Sequence, residues 1–127
     1  MIRVALADDH PELLLAVRLL LHLSNEIEIV YEADNGQDAL DCVIRLQPDV
    51  LVMDIQMPVL DGISATKQIV DLSLPTHVII ISLTRGSFIA GKAAESGAKG
   101  FLAKDDLAEF LLPAIKAVHR GELFFKE

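Results

Sequence analysis

Apolar residues in this chain concentrate in short runs separated by longer, more interrupted stretches. Ile2–Ala7, Ile27–Ala33, Val50–Met53, Val78–Ile81 and Gly100–Ala103 are the short runs, rich in β-branched and aliphatic residues. Ile27–Ala33 alternates enough to be a strand, and the others show the pattern of strands covered on both faces of a parallel sheet. The stretches between them carry helix signals. Pro11, pre-set for a first helical turn, opens a helix to about Leu23. Beyond the Asn35-Gly36 break, Gln37–Leu46 reads as a second helix, stopped by Pro48. Ile63–Leu72 is the third, ended by Pro75, and Ser87–Glu95 the fourth, closed by Ser96-Gly97. A fifth is capped by Asp105 or Asp106 and runs to about Arg120, with Gly121 as its stop. Pro113 inside it predicts a kink or a later start. Repeated β–α units of this length require a parallel sheet with right-handed crossovers and helices on both faces. One domain over residues 1–121 is expected, and residues 122–127 read as a tail or the start of a linker, their Phe124-Phe125 pair belonging to no evident element.

The ends of the runs carry the candidate chemistry. The first run stops at Asp8-Asp9, the third at Asp54, the fourth at Ser82 and the fifth at Lys104. In open α/β sheets ligands gather at the carboxyl ends of the strands, so three acids, a hydroxyl and a lysine are expected at one rim. Any one of them alone is weak: an Asp pair starts helices, a strand-end Ser caps them, and a Lys before a helix is usually solvated. Together they form a specific set. Carboxylates that close repel one another unless a cation joins them, and hard oxygens with few neighbours suit Mg²⁺. An acid beside Mg²⁺, a lysine and a hydroxyl is equipped to accept a phosphoryl group.

Composition narrows the setting. Eleven basic against 19 acidic residues give a net charge of −8, which disfavours contact with nucleic acid or an anionic membrane by this segment. Cys42 is the only cysteine, so no internal disulfide forms, and no run approaches the roughly 18 apolar residues of a membrane span. The expected location is the cytoplasm. His22, His77 and His119 have no metal spacing, His10 beside the acids reads as a solvated loop residue in preference to a phosphohistidine or ligand, and Cys42 reads as packing.

Over essentially its whole length the chain resembles the receiver domain of two-component response regulators. The resemblance rests on Ala7-Asp8-Asp9-His10, Asn35-Gly36, Met53 through Gly62, Ser82, Ser96-Gly97-Ala98, Gly100-Phe101 and Lys104. It implies a flavodoxin-like doubly wound (βα)5 fold, with a five-stranded parallel sheet of order 2-1-3-4-5. It also implies that Asp54 is the phosphoacceptor and that Asp9 and Asp54 ligate Mg²⁺ directly. Asp8 would do so through water, and the backbone carbonyl of Gln56 completes the protein share. Ser82 and Lys104 would bind the phosphoryl oxygens, with Ser82 and Phe101 as switch residues. The implied partner is a sensor histidine kinase. Asp9-His10-Pro11, Lys104-Asp105 and the stretch from Ala114 to Gly121 resemble the LuxR-type transcriptional regulators, in which a helix-turn-helix domain follows, so DNA binding is expected only of a parent protein.

Two positions depart from the family pattern. Leu83 stands where a small residue usually lines the phosphoryl pocket, and is expected to restrict access. Phe101 replaces the commoner tyrosine. Helices one and five carry more leucines than one buried face can use, which predicts a two-fold dimer through them. Two rival readings remain. A Mg²⁺-dependent aspartate-nucleophile phosphatase needs a second acid two residues after the nucleophile, where this chain has Gln56. A pseudo-receiver that binds without phosphorylation is opposed by the complete acid, hydroxyl and lysine set.

Overall fold

Alternation along each strand divides the core in two. Val4, Leu6, Val52, Ile79, Ile81 and Leu102 point to one face of the sheet, and Ala5, Ala7, Met53, Ile80 and Phe101 to the other. In the computed structural model, which describes residues 1–127, the strands are β1 (Ile2–Ala7), β2 (Ile27–Ala33), β3 (Val50–Asp54), β4 (His77–Ser82), β5 (Gly100–Ala103) and β6 (Phe124–Phe125). The helices are α1 (Pro11–Leu21), α2 (Gly36–Leu46), α3 (Gly62–Asp71), α4 (Ser87–Ser96) and α5 (Leu107–His119). The first face packs on α1 and α5 through Val17, Leu21, Leu111, Ile115 and Val118. The second packs on α2, α3 and α4 through Leu40, Val43, Ile69, Ala90 and Ala93. Right-handed crossovers on both sides of one parallel sheet produce this doubly wound arrangement.

The sheet order is β2-β1-β3-β4-β5-β6, with every neighbouring pair parallel. The expected five strands are therefore six. The sixth comes from the two aromatics after α5: Phe124 N donates to Lys99 O at 3.0 Å and Lys126 N to Phe101 O at 2.9 Å. Phe124 packs against Phe110 with ring centroids 6.4 Å apart, while Phe125 lies against the opposite core cluster, which contains Phe101. A two-residue strand shows no alternation, and only its neighbours reveal it.

Helix boundaries differ from expectation in two places. α1 stops at Leu21, two residues early, leaving Leu23 exposed. α5 runs unbroken through Pro113 after a single 3-10 turn over Lys104–Asp106. Pro113 sits on the solvent side, as does Glu109, whose carbonyl loses its partner, so water can satisfy that group.

Register sets the functional rim. Ala7 pairs with Met53, Asp54 with Ile81, and Ser82 with Ala103. Asp8 thus leaves β1 level with Asp54, and Lys104 leaves β5 just beyond Ser82. The loop after β3 closes tightly on this rim because Gly62 has no side chain: a Cβ there would collide with the Asp54 carbonyl oxygen.

Candidate functional site

Asp54 is the centre of the site. It is the last residue of β3 and is 3% exposed. Its Oδ1 accepts a hydrogen bond from Gln56 N at 3.3 Å, and its Oδ2 lies 3.2 Å from Lys104 Nζ. The same ammonium stands 2.9 Å from Asp8 Oδ2, so one lysine is shared by two buried carboxylates. Burial raises the Asp54 pKa first and the Asp8 charge raises it further, outweighing Lys104 and the Gln56 amide. For Lys104, burial acts downward, but its contacts with Asp8 and Asp54 prevail and hold its pKa above the ordinary lysine value.

Asp8, Asp9, His10 and Asp54 can each bring one ligand atom within 4.8 Å of the others. The Asp8 Oδ2 atom is buried, and its one polar neighbour is the Lys104 ammonium it shares with Asp54. Two buried carboxylates that share one ammonium, in a cluster of three acids, carry excess negative charge and fit a hard cation that takes oxygen ligands. Three of the four candidate ligands are carboxylates, which suits Mg²⁺ better than a metal preferring nitrogen.

An open cleft lies over this group, lined by Asp9, His10, Asp54, Ile55, Gln56, Asp61, Ser82, Leu83, Thr84 and Ile89. Ser82, 2% exposed, forms its wall at the end of β4. Its Oγ accepts from Thr84 N at 3.1 Å and lies 3.2 Å from Thr84 Oγ1. Leu83 lines the mouth but is 72% exposed, so its bulk stands at the rim and does not fill the cleft. Phe101 is absent from the cleft. Its ring is fully buried on β5, packed in the cluster that α4 covers.

Thus Asp8, Asp9, Asp54, Gln56, Ser82 and Lys104 converge, and Phe101 lies behind them. His10, half-exposed in its loop, also touches the acids of the site. Its Nδ1 is 2.9 Å from Asp8 Oδ1 and 3.2 Å from Asp9 Oδ1. The Asp8 hydrogen bond, then the Asp9 charge, raise its pKa. Its position directly after two acids was the available signal. Thr84 had no signal in sequence, because its bond to Ser82 depends on how the β4–α4 loop folds.

Residues 4–116 match the family model described as the response regulator receiver domain. The chain belongs to that family. Receiver domains are signalling phosphoacceptors, they interact with histidine kinases, and they bind Mg²⁺ at an acidic pocket such as the Asp8, Asp9 and Asp54 cluster. Among similar proteins is the transcriptional regulatory protein LnrK of Bacillus subtilis (strain 168), 36% identical over 122 residues, covering 95% of this chain and 55% of that protein. The signal receiver domain of the putative response regulator NarL from Mycobacterium tuberculosis superposes with a TM-score of 0.91 at 35% identity, covering 95% of this chain and 98% of that one. A LuxR-family two-component response regulator from Aurantimonas sp. SI85-9A1 also reaches 0.91, at 32% identity over 96% of this receiver and 87% of its own chain. This receiver spans a little over half the length of the curated regulators it matches. No helix of it is long and apolar enough to cross a membrane.

Proposed function

We propose that this receiver takes a phosphoryl group from a phosphohistidine of a sensor kinase onto Asp54 and switches conformation in response. In the step, an Asp54 carboxylate oxygen forms a bond to phosphorus as the phosphorus–nitrogen bond breaks, and the nitrogen pair returns to the imidazole. The observation that carries this reading is the shared ammonium. Lys104 already bridges Asp8 and Asp54 at 2.9 and 3.2 Å, where it would meet the oxygens of a group attached to Asp54. Asp8, Asp9, Asp54 and the carbonyl of Gln56 would hold Mg²⁺, which when bound offsets the repulsion between a carboxylate and an anionic phosphoryl group. Ser82 supplies a hydroxyl at the cleft wall. Phe101, buried beneath α4, is the ring that would move with it.

The same reading extends to the assembly. α1 presents Leu15 and Leu19 outward at one-turn spacing, 47% and 60% exposed, with Leu23 exposed just past its end, and we assign a homodimer to the α1–α5 side. The output is transcription control through a helix-turn-helix domain beyond residues 122–127, in the cytoplasm. The phosphatase reading lacks its second acid, since Gln56 stands two residues after Asp54.

Intact mass after incubation with acetyl phosphate tests the reading. One phosphoryl adduct is expected, dependent on Mg²⁺ and absent from Asp54→Asn. An adduct that survives in the variant removes Asp54 from its role.

A further inference from the structure

The hydroxyl of Ser82 is the group in the cleft that has most to change, and it is already occupied. Its oxygen accepts from Thr84 N at 3.1 Å and faces Thr84 Oγ1 at 3.2 Å. It makes no hydrogen bond to Asp54 or Lys104, although both lie on the same rim. A hydroxyl has one hydrogen to give. Ser82 is 2% exposed, so water cannot readily take that hydrogen, and Thr84 Oγ1 is the acceptor within reach. Thr84 itself is exposed, and its own hydrogen can go to solvent. The direction of the pair follows: Ser82 donates and Thr84 accepts, since leaving the buried donor unpaired is the costlier arrangement.

We propose that Thr84 is a positioning residue that latches the Ser82 hydroxyl in the resting receiver, so that this bond must break before Ser82 can donate to a phosphoryl oxygen. The proposal rests on the phosphoacceptor reading above and adds a residue to its control. Thr84 N fixes the Ser82 oxygen, and Thr84 Oγ1 holds its hydrogen away from Asp54. Only the second contact depends on the side chain. It opposes occupation of the site, because the resting state loses one neutral hydrogen bond when the active arrangement forms.

Substitution separates the two contacts. Thr84→Val keeps the shape and the backbone amide and deletes the acceptor, while Thr84→Ser keeps the acceptor and deletes a methyl group. The probe is beryllium fluoride with Mg²⁺, a stable mimic of the phosphoryl group on a carboxylate, titrated against the folded chain. Thr84→Val is expected to bind it about two- to tenfold more tightly than the wild type, the worth of one neutral hydrogen bond. Thr84→Ser is expected to match the wild type, and Mg²⁺ affinity without fluoride to be equal in all three. Equal beryllium fluoride affinity for wild type and Thr84→Val overturns the latch while leaving the phosphoacceptor reading intact. Weaker binding by Thr84→Val also overturns it, showing that Thr84 serves the bound group directly. Equal gains in Val and Ser overturn it in favour of simple bulk. A wild-type chain that takes no beryllium fluoride overturns the phosphoacceptor reading, and the latch with it.

Discussion

Two buried carboxylates share a single ammonium at the centre of the cleft, and Asp54 bears the larger consequence. Burial first, and Asp8 second, raise its pKa in the folded chain. A folded-state value above the unfolded one means that the native chain holds this proton more tightly. The associated stability is fully present below the unfolded pKa and is lost as pH rises through the folded one. At neutral pH the ionised group therefore works against the metal-free fold. Asp54→Asn is expected to raise the thermal midpoint at neutral pH, and to lessen the fall in stability as pH climbs out of the acid range. Mg²⁺ is expected to protect the wild type more than this variant, because a ligand that binds only the folded state stabilises it in proportion to its affinity. Thermal unfolding followed by circular dichroism across pH, with and without Mg²⁺, checks all three; a variant less stable than the wild type at neutral pH contradicts them. Asp8, Asp9, Asp54, Ser82 and Lys104 were legible at this scale because each directly follows or ends an apolar run. His10 is the half-exposed loop residue expected, and its contact with Asp8 was not legible because it arises from the turn between β1 and α1.

On its own face of the sheet, α4 is held less firmly than α2 and α3. The side chain of Asn35 caps α2 by accepting from Asp38 N at 2.8 Å, and Asp61 caps α3 by accepting from Ser64 N at 2.8 Å. Gly86 gives α4 no such bond, and α4 buries only Ala90, Ala93 and Ser96 while leaving Phe88 78% exposed. Small buried side chains and an uncapped start make it readier to shift than α2 or α3, and it lies over Phe101. Gly91 adds to this, and a Cβ there would meet nothing within 4 Å. Gly91→Ala is expected to stabilise the chain by about 0.8–1 kcal/mol and to slow amide exchange within α4 more than within α2. Exchange that slows equally in both helices sinks the idea that α4 is a locally weak unit. The elements themselves were readable wherever a run was long enough to show its period. β6 was not, having two residues, and the passage of α5 through Pro113 was not, because sequence does not say which way the ring faces.

Taken whole, the molecule is acidic with one apolar stripe. The net charge of −8 sets copies of the chain against one another, while Leu15 and Leu19 on α1, with Leu23 just beyond it, favour pairing. α5 contributes less than its leucine content implied, because Leu107 and Leu111 are buried in the core and Leu112 is half-buried against it, while Phe110 is engaged by Phe124 and by Lys126, whose Nζ lies 4.5 Å from the Phe110 ring centroid. Repulsion between exposed charges is screened by salt and apolar burial is not. Dimerisation is therefore expected to strengthen as ionic strength rises, and Leu19→Glu to give monomers with the fold retained. Light scattering across salt concentrations decides this, and a wild type that stays monomeric throughout, with and without phosphodonor, removes the dimer. The doubly wound class followed from the alternation of runs and helices. The strand order came through the family resemblance, since spacing alone does not rank neighbours. β6 also sets the direction of exit. A chain that stopped being ordered after α5 would leave from the end of the sheet far from the cleft. Here the backbone turns back and runs parallel to β5, with Phe125 level with Phe101, so it departs heading for the rim where Asp54 sits. Anything attached beyond Glu127 thus starts on the same edge of the sheet as Asp54, with β4 and β5 lying between the exit and the chemistry.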